Sequence, residues 1–334
     1  MRPPLTIAAH LNENPLGPPP AAVRRLVEAS GQVHRYPDGA VEAATAAVAR
    51  HYGVPTDEVL VTRGVDEATD LLLLDHRGGW ALEPGFDGYW ERAAVLGLPF
   101  RRVPLDDDWS PALDPSELAG SGVGIVASPN NPSGRILPGT WIAEAIAVSS
   151  LVCIDETYLP FSSDPRSALD RASRDDRVCV FVSFSKLHGL AGLRLGALLG
   201  TPAVIASLRR RQRFHSVDVL ALAAIEGCLE DVEHLDATRR HVLHWRPELA
   251  GMLRRADRLF DEVVDTEANF VVAHTTVDAS TVRTALRERG LLTHDCANNG
   301  LPGWLRISIG TSDEMRAVPG VLDRAAELVP GRLR

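Results

Sequence analysis

Six short apolar runs set the strongest limit on what this chain can fold into. They are VLVT (59–62), GWALE (79–83), GIVAS (124–128), LVCID (151–155), VCVFVSF (178–184) and LGALLG (195–200). Each is a nearly continuous hydrophobic stretch rather than an alternating one, the pattern of strands covered on both faces. Helix-period segments such as VEAATAAVARHYG, DEATDLLLL and WIAEAIAVSS lie between most of them. The succession predicts an α/β fold with a mostly parallel sheet sandwiched by helices, in which ligands sit at the carboxyl ends of the strands.

A long helical region from about residue 202 to 256 leads to a different pattern. NFVVAHTT, TVRTALRERG, LLTHDC, WLRISIG and DEMRAVPGVLDRAAELV read as strand, helix, strand, strand, helix, a small α+β domain. We therefore expect an N-terminal arm over 1–24 that packs with the small domain, a large domain over 25–235 and the small domain over 236–334. The PLGPPP segment (15–20) is the irregular part of the arm.

The 334 residues are 45% hydrophobic, enough for a sizeable core, and the net charge of −9 provides no field to hold a polyanion. Nucleic acid and acidic membrane surfaces are thus not expected partners, whereas a small molecule is. The basic run RRRQR (209–213) falls in a helix-reading stretch and is taken as a solvated helix face. Cys153, Cys179, Cys228 and Cys296 are widely spaced and form no CxxC pair, which argues against a disulfide framework or a zinc site. The first twenty residues lack a signal pattern and no apolar run reaches the ~18 residues of a membrane span, so a cytoplasmic protein is expected.

The chemistry centres on SFSKLHGLAGLRLG (183–196), where a lone lysine is hemmed in by small and apolar residues. On this stretch alone two readings stand: a desolvated Lys186 with a lowered pKa, usable as a nucleophile toward an aldehyde, or a lysine snorkelling from the end of a buried strand. Four other segments supply what pyridoxal 5'-phosphate needs. In IDETYLPF, Asp155 can face a pyridine nitrogen and Tyr158 can hydrogen-bond the ring oxygen, although an aspartate on a turn also serves as an N-cap. In SPNNPSG, Asn131 can donate to the same oxygen, or simply form an Asn-Pro turn. In TRGVDEA, the amides of Gly64, Val65 and Asp66 open a helix toward an anion, with Ser183, Ser185 and Arg194 completing a phosphate cup. In EPGFDGYW, Phe86 can stack on the ring or belong to the core.

Taken in order, NENP, RYPDG, TRGVDEA, EPGF, SPNNPSG, DETY, SFSK with GLAGLRLG, EANF and LRISIGT make the chain resemble fold-type I pyridoxal-phosphate enzymes of the class I/II aminotransferase superfamily. The similarity runs from about residue 12 to 311 and is closest to the histidinol-phosphate aminotransferase-like branch. The resemblance implies a seven-stranded large-domain sheet, Lys186 as the Schiff-base lysine and Arg194 as the phosphate-binding arginine. It also implies that Tyr36 reaches the cofactor phosphate of a partner subunit, making a homodimer with composite sites. Arg306 is implied to clamp a substrate carboxylate, and Asn12 and Asn14 in the arm to lie near the substrate.

Two positions depart from the branch. His294 stands where a second substrate-binding arginine often precedes the aspartate, and RFHSV (213–217) replaces an aromatic-Asn-Val sequence. Both argue for an amino acid donor other than histidinol phosphate, with a 2-oxo acid as acceptor. The expected activity is transamination; the alternative on the same scaffold is a decarboxylase or lyase of the threonine-phosphate decarboxylase kind. His188, two residues after the lysine, is expected either to touch the substrate or to pack beneath the cofactor. A DNA-linked regulatory module and a dinucleotide oxidoreductase are disfavoured, since no basic recognition helix and no GxGxxG are seen.

Overall fold

The computed structural model describes residues 6–330. Its central sheet contains seven strands: β1 (Val59–Thr62), β2 (Gly79–Glu83), β3 (Phe100–Pro104), β4 (Val123–Ala127), β5 (Leu151–Asp155), β6 (Val178–Ser183) and β7 (Gly196–Gly200). They lie in the order β1-β7-β6-β5-β4-β2-β3. All pairs are parallel except those of β7, which runs antiparallel to both β6 and β1. The sheet is thus mixed but mostly parallel, as the apolar runs predict.

Alternate residues along each strand feed two different cores. Val152, Ile154, Val180 and Leu199 join one buried cluster, while Leu151, Cys153, Cys179 and Leu198 join another on the opposite face. Burial on both faces explains why these runs show no polar alternation. Six strands were legible for that reason and β3 was not. It sits at the sheet edge, only Val103 of its five residues is buried, and Arg102 reaches Glu83 at 2.7 Å.

A third core gathers around a four-stranded antiparallel sheet in the order β10-β11-β9-β8. Its strands are β8 (Phe260–Val264), β9 (Phe270–Thr275), β10 (His294–Asp295) and β11 (Trp304–Ser308). The arm reaches this unit: Ile7–Ala8 pairs parallel with Leu291–Leu292, and Ile7 and Ala9 are buried in the same core. The expected boundaries at 24 and 235 fall inside helices, however. Pro20–Ala29 is one helix packed on Val219–Glu230, and Val232–Arg255 runs unbroken across residue 235.

The basic run also needs correction. The helix Pro202–Arg209 ends at its first arginine, and the rest forms a turn in which Arg211 pairs with Asp75 at 2.6 Å. The four cysteines are buried and free. Among the described residues no helix is long and apolar enough to cross a membrane, and no group of His, Cys, Asp or Glu could hold a metal ion.

Candidate active site

The carboxyl ends of β4, β5 and β6 open into one cavity of about 460 Å³, closed on the other side by the arm, β10 and β11. Twelve of the expected residues line it: Asn12, Val65, Phe86, Asn131, Asp155, Tyr158, Ser183, Ser185, Lys186, Arg194, His294 and Arg306. They come from segments more than 200 residues apart, brought together by strand order.

Lys186 stands just past β6 and is the only lysine of the chain. Its Nζ donates to the Leu11 carbonyl at 2.9 Å, and burial, then Arg306, lowers its pKa to about 8. Asp155 ends β5, buried, with Oδ2 accepting from the Tyr89 hydroxyl at 2.6 Å and Oδ1 from the Thr157 amide at 2.9 Å. Burial raises its pKa, while Thr157, Tyr89 and the Lys186 charge oppose that rise. Tyr158 is buried and accepts from Asn12 Nδ2 at 2.9 Å.

Arg306 lies on β11 directly across from His294 on β10, which places both side chains on one sheet face. Nη1 donates to Asn131 Oδ1, Nη2 donates to the His10 carbonyl at 3.1 Å, and Nε is buried without a partner. His294 Nε2 donates to Asn299 Oδ1 at 2.8 Å. Burial, then the Arg306 charge, lowers the pKa of this imidazole.

Arg194 has φ 53°, a left-handed conformation that is costly for a side chain bearing Cβ. It holds Asp66 at 3.2 Å and lies over Gly64, the first residue of the helix Gly64–His76. Ser183 Oγ accepts from the Ser185 amide at 3.2 Å beside it. The Asp66 side chain is therefore a partner of Arg194, and the anion-facing groups of this turn are the first-turn amides.

Two expectations are placed elsewhere. Asn14 does not line the cavity: its Nδ2 donates to the Leu187 carbonyl at 2.7 Å, tying the arm to the lysine loop. Of the two asparagines Asn12 is the one in the cavity, held with φ 54° by Ser308, Asn269 and Tyr158. Tyr36 is 79% exposed, stacked on His215 with ring centroids 5.0 Å apart, and is not part of this chain's own cavity wall. His188 faces a smaller cavity of about 170 Å³ with Glu156 and Tyr52, and burial lowers its pKa to about 3.

Sequence reasoning missed Tyr89, whose position in an apolar helix reads as core. It also missed Asp87 and Asn299, polar residues in turns with no motif of their own.

The donor set fits pyridoxal 5'-phosphate. It provides a low-pKa amine, a buried carboxylate near it, a cationic corner with two serines at a helix start, and a second guanidinium, Arg306, on the cavity wall. A mixed seven-stranded sheet with this site at its strand ends defines the fold-type I class. Residues 10–320 match the family "aminotransferase class I and II", and the chain belongs to that family. It is a pyridoxal-phosphate-dependent aminotransferase. A histidinol-phosphate aminotransferase of Symbiobacterium thermophilum is 33% identical over 315 residues, covering 91% of this chain and 86% of the relative. A crystal structure of a candidate aminotransferase from Burkholderia pseudomallei K96243 is 32% identical, with a TM-score of 0.87 over 96% of this chain and 99% of that one. The histidinol-phosphate aminotransferase of Sinorhizobium meliloti in complex with pyridoxal-5'-phosphate, 22% identical, shares the fold with a TM-score of 0.83 over 96% and 92% of the two chains.

Proposed function

We propose that the protein moves an amino group from an L-amino acid to a 2-oxo acid, with Lys186 as the attachment and proton-transfer residue. The carrying observation is the Lys186 amine with its pKa lowered to about 8, in the same cavity as Asp155 and Arg306. Bound there, pyridoxal phosphate supplies an aldehyde and an electron-withdrawing ring. Asp155, held by Tyr89 and Thr157, would be the carboxylate that holds the ring nitrogen. Tyr158 and Asn131 orient the ring oxygen, and Phe86 forms a wall. Arg194, Ser183, Ser185 and the amides of Gly64, Val65 and Asp66 bind the phosphate. Arg306 receives the substrate carboxylate through the N–H groups that Asn131 and the His10 carbonyl leave free. Lys186 Nζ would take the proton from the substrate's α-carbon.

The unit is proposed to be a homodimer in which Tyr36 completes the partner's phosphate site. Support comes from the exposure of Tyr36, Val23, Val27 and Phe214. A cytoplasmic location is proposed from the four free, buried cysteines.

The test is a half-reaction: cofactor-loaded protein, no 2-oxo acid, and a panel of L-amino acids followed by absorbance and mass spectrometry. Formation of pyridoxamine phosphate and one keto acid is expected. Release of carbon dioxide or an eliminated fragment, with the cofactor returned as pyridoxal phosphate, would replace transamination by the decarboxylase or lyase alternative.

A further inference from the structure

The charges lining the cavity bear on which donor it accepts. Among the described residues three cationic side chains line it: Lys186, Arg194 and Arg306. On the aminotransferase reading above, on which this inference rests, Arg194 is engaged by the cofactor phosphate and Lys186 by its aldehyde. Arg306 alone remains for a substrate anion, with two of its five N–H donors directed to Asn131 and the His10 carbonyl. Room is left for one anionic group.

The remaining wall carries the opposite sign. Asp87 and Glu13 both line the cavity, and neither carboxylate makes a hydrogen bond among the described residues. Asp87 precedes the helix Gly88–Leu96 at its N-cap position yet leaves the cap unmade. Its segment is fixed in place: Gly85 donates its amide to the Asn299 carbonyl at 3.0 Å, and Asn299 Nδ2 donates back to the Gly85 carbonyl at 3.2 Å. Asn299 in turn holds His294. Asp87, His294 and Asn299 thus belong to one tied wall, with no cation of its own to receive a second negative charge. Burial and the facing Arg306 keep His294 toward its neutral form.

We propose that the amino donor carries a single negative charge, its α-carboxylate at Arg306, and a side chain ending in an uncharged or basic hydrogen-bond donor that meets the Asp87–His294–Asn299 wall. A second carboxylate on the donor, or a phosphate carried in addition to the α-carboxylate, would be desolvated next to Asp87 without a partner, and like-charge juxtaposition of that kind discriminates strongly. An amide or a protonated amine at the same place finds an idle acceptor.

The experiment measures single-turnover rate constants over half-saturation concentration for L-glutamine against L-glutamate and L-asparagine against L-aspartate, using the cofactor-loaded protein. The amide of each pair should exceed its acid by about tenfold or more. Asp87→Asn should narrow that ratio several-fold, and His294→Arg should move it toward the acid. Acids reacting as well as the amides would overturn the charge rule while leaving the aminotransferase reading intact. If no donor yields pyridoxamine phosphate, the underlying reading itself falls, and this inference with it.

Discussion

Lys186 is the sole ε-amine of the chain, so its titration can be followed without background. Burial and Arg306 bring its pKa from 10.5 to about 8. At pH 7 roughly a tenth of the amine is then free, against well under a thousandth at the ordinary value. Capture of pyridoxal phosphate by the apoprotein should rise about tenfold per pH unit up to pH 8 and level off above it. A rate still climbing at pH 10 would mean that the amine is not desolvated. The same shift acts on stability. Below pH 8 the lysine is protonated in both states and the full cost of its burial is present; between pH 8 and 10.5 the unfolded chain holds a proton that the folded chain has released, so this group's contribution improves as pH rises. Lys186→Met should therefore raise the apoprotein Tm at pH 7, with the gain shrinking toward pH 10. An equal gain at both pH values would remove the linkage.

At the level of elements, the junction between β1 and the helix Gly64–His76 concentrates the backbone requirements of the corner proposed to hold the phosphate. Gly64 has φ +70°, and a Cβ there would stand 3.4 Å from Arg194 Nη2. Gly64→Ala should cost roughly 1–2 kcal/mol through the left-handed conformation. It should also weaken retention of pyridoxal phosphate several-fold in equilibrium dialysis, because relief of the left-handed strain at residue 64 would turn the first-turn amides. Unchanged affinity would place the phosphate elsewhere. How much of this could be read beforehand depended on burial. Strands covered on both faces announce themselves as apolar runs, and the turns that end β4, β5 and β6 carry the motif residues Asn131, Asp155 and Lys186. Edge strand β3 does not, since FRRVP exposes its arginines. Pairings set by register were also out of reach. His294 and Arg306 are neighbours because β10 and β11 are antiparallel, a fact that neither position carries by itself. Asn12 and Asn14 could not be told apart by type, and only the backbone turn at Asn12 sends one inward.

The whole molecule raises the question of where Tyr36 acts. It projects into solvent at 79% exposure, stacked on His215, next to a Phe214 that is 94% exposed. Val23 and Val27, four residues apart and so on one face of the helix Pro20–Ala29, are exposed as well. Large apolar groups left uncovered in this way are expected where a second copy packs, and a two-fold dimer would give each subunit the other's tyrosine. The two arrangements predict opposite results from mixing variants. Lys186→Ala should have no activity, and Tyr36→Ala should lose cofactor affinity and most activity at limiting pyridoxal phosphate. If Tyr36 serves the partner, a hybrid dimer of the two holds one site with both changes and one site with neither. Random mixing then restores roughly a quarter of the wild-type sites, visible as regained activity after co-refolding or co-expression. If Tyr36 serves its own subunit, every site in the hybrid carries one lesion and mixing restores nothing.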